Sequence, residues 1–364
     1  MTADVDEVRQ ASLRFAGGTN DIAISSDSLH VYLSGNDGVL RSYDSQSGQL
    51  VGAWDLGARL GGIDISPDGT FIVVTDLEPS GEVTQPDGSV RYIVNVYKVD
   101  LLTGVSETFT FLTTHPEYAF FDVAVLSDGR ALLSQQVPPG YSGTATLKLL
   151  NFDTSQFINT NLLVQQSAFL SPSEDGSHVF GAESNISSAE SFVYETTTGT
   201  IINSPSSPHV SGFNSGIQAF SEQAELIAQY VWGDGLHIYN QSLQHQIDLT
   251  DIFPQWLSGG VSGVAFDNAG QYLFVVDSLT DEIVQLSVGD WSVISTLPIG
   301  RDVIFEHSDV GNRLLVSPDS RYFTYLDRGD AIRIGIPNVI DGSSSDEVIT
   351  GTAFFDLING EDGN

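Results

Sequence analysis

Apolar residues along the chain fall into short strand-length runs broken by Asp, Gly, Pro and Ser, and one stretch shows the pattern in full: Ile63 to Asp76, IDISPDGTFIVVTD. Ile63 and Ile65 alternate with Asp64 and Ser66, the period of a strand with two distinct faces. Pro67, Asp68 and Gly69 then supply a turn, since Pro presets φ, Asp bonds the backbone ahead of it and Gly accepts positive φ. Phe71 to Val74 is a continuous β-branched and aromatic run, as in a strand covered on both faces. A lone hairpin is marginal in water, so this unit must be extended by further strands and by neighbours.

The same pattern recurs as DIAISSDSLHVYLS from Asp21, FDVAVLSDGRALLS from Phe121, FLSPSEDGSHVFGAES from Phe169, IQAFSEQAELIAQYVW from Ile217, SGVAFDNAGQYLFVVDS from Ser262 and RLLVSPDSRYFTYLD from Arg313. The turn positions Asp27, Asp68, Asp128, Asp175, Gln223, Asn268 and Asp319 lie 41 to 60 residues apart, the interval of propeller blades. Two more strands follow in most units, as VLRSYD and QLVGAWDLG do in the first. The unit begun at Arg313 lacks a convincing fourth strand, while Glu7 to Phe15 is a strand to spare; together they would close a ring without a raw edge. The expected fold is all-β: a single seven-bladed β-propeller over residues 1–337 with four-stranded antiparallel blades, six or eight blades being the neighbouring counts. Residues 338–364 form a flexible acidic tail.

The SPDG-type turn between apolar strands, followed by a strand ending near Tyr-Asp and a Thr-Gly or Ser-Gly turn, resembles YVTN-type and Trp-Asp-repeat-like propellers. The matching segments are SPDGTFIVV, LSDGRALL, EDGSHVF and SPDSRYFTY, with VYETTTG and SYDSQSG. This resemblance implies fold and leaves function open, because propellers host enzymes, scaffolds and adhesive modules alike.

Charge narrows the partners. With 47 acidic against 13 basic residues the net charge is −34, a field that repels nucleic acid and anionic membrane. There are no cysteines, so disulfides, thiolate metal sites and Cys nucleophiles are excluded. The opening MTADVDEVRQ has neither a basic nor an apolar signal region, and no apolar run reaches the ~20 residues of a membrane helix.

The tail, NVIDGSSSDEVITGTAFFDLINGEDGN, resembles the start of an RTX (hemolysin-type) calcium-binding array. In that family's nine-residue repeat, Gly-Gly-x-Gly-x-Asp-x-apolar-x, turn carbonyls and Asp carboxylates hold calcium between stacked turns. Asp346 and Asp356 match the Asp position, Val348 and Ile358 the apolar one, Gly351 and Gly360 the first Gly and Gly363 a later one. Thr352, Phe354 and Glu361 depart from it. The resemblance implies calcium as cofactor once the array is complete, and export by a bacterial type I route to the medium or cell surface; a cytoplasmic scaffold with a coincidental tail is the alternative.

Chain direction separates two rims. The SPDG-type turns share one with the third-to-fourth-strand turns; the longer second-to-third loops and the linkers between blades share the other, here called the linker rim. Irregular loops on a rigid scaffold are where binding usually resides. The linker-rim candidates are therefore His115, Tyr118, Tyr141, His209, Phe253, Trp256, Arg301 and His307, the aromatics having interblade packing as their alternative role. Arg59 is read as a surface salt link. The turn aspartates are read as turn formers, and no P-loop, GxSxG, HExxH or dinucleotide fingerprint occurs. The functional expectation is a non-enzymatic domain binding a protein, carbohydrate or small molecule, with a channel-mouth hydrolase or lactonase as the alternative.

Overall fold

The computed structural model describes residues 13–336 except 15–17, 58, 114–116, 138–142, 166, 185–189, 205–212, 258, 300–312 and 328, together with the backbone of two tail strands. Seven sheets form a ring, and every blade runs inner to outer in antiparallel order. The inner strands are Thr19–Ile24, Leu60–Ile65, Ala119–Val125, Ser167–Pro172, Phe213–Ser221, Val261–Phe266 and Arg313–Val316 for blades 1 to 7. Blade 2 carries a fifth strand, Gly81–Thr84, paired to Val90–Asp100. Two single-turn 3-10 helices, Leu249–Asp251 and Pro254–Trp256, join blades 5 and 6.

Blade 7 is completed from the other end of the chain. Leu13–Arg14 pairs antiparallel with Asp330–Gly335, Leu13 opposite Arg333 and Arg14 opposite Ile332. The surplus first strand and the missing last one are thus the same strand, as the repeat pattern predicts.

The SPDG-type turns work as their residues dictate. Ser66 donates through Oγ to Asp68 at 2.7 Å and accepts from the N–H groups of Thr70 and Phe71, while Gly69 takes φ +70°. Ser25–Asp27, Ser173–Asp175 and Ser317–Asp319 repeat the pair. In five blades the residue just after the third strand donates its N–H back to that turn: Ser45 to Leu29 O, Leu101 to Thr70 O, Thr196 to Ser177 O, Val288 to Gln271 O and Ile336 to Arg321 O, all at 2.8–3.0 Å. These bonds hold both turn sets on one rim.

The core lies between blades. Where blades 5 and 6 meet, Ile217, Tyr230, Trp256 and Val264 pack with Phe266 and Leu273; where 6 and 7 meet, Phe274 and Phe323 cross edge to face at 4.7 Å. In the tail, Asn338–Asp341 pairs parallel with Asp356–Asn359, Asn338 opposite Asp356 and Ile340 opposite Ile358.

Candidate ligand-binding channel

Inner strands leave the N–H groups of their channel edge without a ladder partner, and buried backbone groups must be satisfied. This chain does it with three aspartates. Asp21 accepts from its own neighbour Ile22 N at 2.8 Å and from Ile63 N of the next blade at 3.0 Å. Asp64 accepts from Ile65 N at 2.9 Å and Val125 N at 2.7 Å. Asp122 accepts from Val123 N at 2.9 Å and Leu170 N at 2.8 Å. Each carboxylate therefore clasps its own blade to the next, from blade 1 through blade 4. Blades 4 and 5 are joined differently: Gln218 Nε2 donates to Phe169 O and to Ser171 Oγ, both at 3.1 Å.

Asp21, Asp122 and Arg313 sit at equivalent places, three residues before the end of their inner strands, opposite Ser34, Ser134 and Leu326. Gly62 has the same place in blade 2, where a Cβ would stand 2.4 Å from Asp122 Oδ1 and 2.7 Å from its Cα, so only Gly lets blade 3 approach. Arg313 reaches from blade 7 to two of these partners, Nε to Asp21 Oδ1 at 2.9 Å and Nη2 to Asp122 Oδ2 at 2.7 Å. Its side chain is 21% exposed, toward the channel, while those of Asp21 and Asp122 are 4% and 1% exposed.

Burial dominates the electrostatics here. Loss of water raises Asp21 to about 7, with Arg313 pulling it down and Asp122 pushing it up. Asp64 is likewise raised to about 7 by desolvation, against two backbone N–H bonds that favour its ionised form. Desolvation also raises Asp122, in spite of Arg313 beside it. Desolvation works against the Arg313 charge, but Asp122 and Asp21 outweigh it, so the guanidinium stays fully charged.

Beside this cluster a cavity of about 850 Å³ opens at the turn rim. Arg313, Phe169 and Gly216 line its inner part, and Ser26, Pro67, Asp175, Gln223, Asn268 and Pro318 its mouth. Between them the wall is aliphatic and aromatic, with Ile24, Ile65, Phe220, Phe266, Leu315 and Val316, interrupted by Asp64 and Gln218. The Gln218 Oε1 is buried there with no hydrogen-bond partner among the described residues. This is the usual make-up of a small-molecule site, a concave apolar surface with a few placed polar groups.

Of the linker-rim candidates, Tyr118, Phe253 and Trp256 lie among the described residues, and Phe253 and Trp256 meet each other. Trp256 is fully buried, its Nε1 donating to Asp277 Oδ2 at 2.8 Å and its ring stacked on Phe253 at 4.3 Å, so it packs between blades and offers no contact area. Tyr118 packs edge-on against Tyr92 at 5.1 Å. Arg59 donates to Asn36 Oδ1 and pairs with Glu78 at 3.3 Å, the salt link expected of it. His115, Tyr141, His209, Arg301 and His307 lie outside the described residues, as do Asp346, Gly351, Gly360 and Gly363; Asp356 opens the second tail strand. Among the described residues, no three His, Asp or Glu side chains come together in a metal-binding arrangement.

Asp21, Asp64, Asp122 and Arg313 escape the sequence reading. Aligning the inner strands on their turns would have shown them, since a charged residue within DIAI, GGIDI, FDVAV and RLLV is anomalous for an otherwise apolar strand.

Compared with known protein families the chain matches none, and no curated protein is similar enough in sequence to stand as a relative.

Proposed function

We propose that this propeller is a binding domain that receives a small molecule in its channel from the turn rim. The supporting observation is the cavity of about 850 Å³, which combines an apolar wall with Asp64, Gln218 and Arg313. That position replaces the linker rim as the favoured ligand site, because the described cavity lies on the opposite side of the ring. A non-catalytic role is favoured by the way the channel carboxylates are used: each of the three accepts two backbone N–H bonds that hold neighbouring blades together. The test is ligand-detected NMR with a library of small amphipathic molecules, repeated on Ala219→Trp, which places an indole in the cavity wall. Hits that disappear in the variant support the reading; hits that persist unchanged sink it.

The hydrolase reading has one observation in its favour. A cavity-wall carboxyl raised to about 7, as Asp64 is, can act as a general acid or base near neutral pH. Turnover of an ester and lactone panel that falls at least ~100-fold in Asp64→Asn, the usual scale for a lost general acid or base, would establish it in place of simple binding.

The tail supports a place for this domain in a secreted bacterial RTX-type protein. Its two parallel strands pair Asn338 with Asp356, an offset of 18 residues and twice the nine-residue period of that family's repeat. That offset is the one two stacked turns of such a roll would give to parallel strands. Calcium titration of residues 1–364 against residues 1–337 checks this: a binding heat confined to the longer chain is expected, and equal heats would refute it.

A further inference from the structure

We propose that the channel cavity takes an amphipathic organic cation, with an ammonium group at Asp64 and an aliphatic body along the wall. This rests on the reading of the cavity as a ligand site. The first argument is the balance of donors and acceptors. Each Asp64 oxygen accepts one backbone N–H and has a lone pair left over. Gln218 spends its amide N–H groups on Phe169 O and Ser171 Oγ, and its buried Oε1 has no partner among the described residues. The mouth adds Glu174 and Asp175. Ser26, Gln223 and Asn268 at the mouth can donate as well as accept, but at Asp64 and Gln218 the spare capacity is acceptor capacity, so a ligand reaching them must bring donors.

The second argument is charge. Arg313 is the one basic residue among those lining the cavity, and its guanidinium already bridges Asp21 and Asp122. Three carboxyls therefore share one cation, and Asp64, which feels Arg313 without contacting it, is the member of the set that meets the cavity with no ion pair of its own among the described residues. An entering ammonium would supply one, in a low-dielectric site where a charge-assisted bond is at its strongest. A carboxylate or phosphate would instead face Asp64 and find Arg313 occupied on two sides. The third argument is the wall: Ile24, Ile65, Leu315 and Val316 are only partly covered by the protein, and an alkyl chain would remove that apolar surface from water. The acidic surface draws cations toward the mouth as well, since the whole chain carries −34.

The test uses three probes of one length, n-hexylammonium, 1-hexanol and hexanoate, titrated calorimetrically into the full chain at pH 7.5. Added sodium chloride suppresses loose binding of cations to the surface. Hexylammonium is expected to bind about ten-fold tighter than hexanol, the scale of one partly buried ion pair, with hexanoate the weakest. Its heat should vary with buffer ionisation, because a cation beside Asp64 expels the proton from that carboxyl. Asp64→Asn should bring hexylammonium down to the level of hexanol, and Ala219→Trp should remove all three. Hexanol or hexanoate binding as tightly as hexylammonium overturns the cation assignment; so does a preference that survives in a folded Asp64→Asn. If Ala219→Trp still abolishes binding in those cases, the cavity stands as a ligand site for another class. Binding of none of the probes, or binding untouched by Ala219→Trp, overturns the cation assignment and counts against the cavity too. The wild-type comparison decides the matter even if a variant fails to fold.

Discussion

Two populations of aspartate behave oppositely in this chain, and their sum sets its response to pH. Asp68, on a turn, accepts bonds from Ser66 and Thr70 that hold its carboxyl below the usual range, and Asp44 is held low in the same way by Ser47. Groups of this kind stabilise the fold above about pH 4, the unfolded value, and lose that contribution as pH falls through their lowered pKa. Asp21 and Asp64, raised to about 7, and Asp76, raised to about 6 by burial, have the reverse sign. Between about pH 4 and 7 the folded chain holds protons at these sites that the unfolded chain has released, so stability falls as pH rises. Calorimetric Tm should therefore be higher at pH 5 than at pH 8. Asp64→Asn should flatten that slope while leaving the acid limb, which the turns control, in place; a Tm that rises steadily from pH 5 to 8 would contradict the assignment.

At the scale of strands, the channel is a device for satisfying inner-edge N–H groups, and the Arg313 bridge ties blade 7 to blades 1 and 3 across it. Removing one partner from a buried ion network leaves uncompensated charge, whereas removing the whole set can be near neutral. Arg313→Met should thus cost roughly 3–5 kcal/mol in urea unfolding at pH 8, and less at pH 5, where Asp21 and Asp122, both raised by burial, take up protons and shed the charge left behind. A cost that is the same at both pH values would mean that Arg313 acts by packing and not by charge. The strands themselves were legible from the sequence, because turn chemistry and alternation are local: Ser66, Asp68 and Gly69 announce a turn whatever surrounds them. The channel was not legible, because Asp122 and Arg313 meet across 191 residues. Asp64 was in view from the outset, yet in IDIS it reads as the polar half of an alternating strand. Only ring closure turns that half inward. Trp256 shows the converse: an aromatic in a linker reads as contact surface until Asp277 supplies a buried partner for its indole N–H.

For the whole molecule, closure and charge act together. Leu13–Arg14 is a short fourth strand, but it covers the edge of Asp330–Gly335 that blade 7 would otherwise present to solvent. An uncovered edge is a template for pairing with a second chain. Against that stands a net charge of −34, whose mutual repulsion between molecules reaches about 30 Å at 0.01 M salt but only about 3 Å at 1 M. Deleting residues 1–17 should therefore give a chain that stays monomeric at low ionic strength and associates as sodium chloride is raised, while the full chain stays monomeric throughout. Light scattering coupled to size-exclusion chromatography over a salt series reads this directly. Association of the full chain to the same extent would mean that the edge of blade 7 is not the surface involved. A truncated chain that remains monomeric in high salt would mean that the other three strands of blade 7 hold the ring closed unaided.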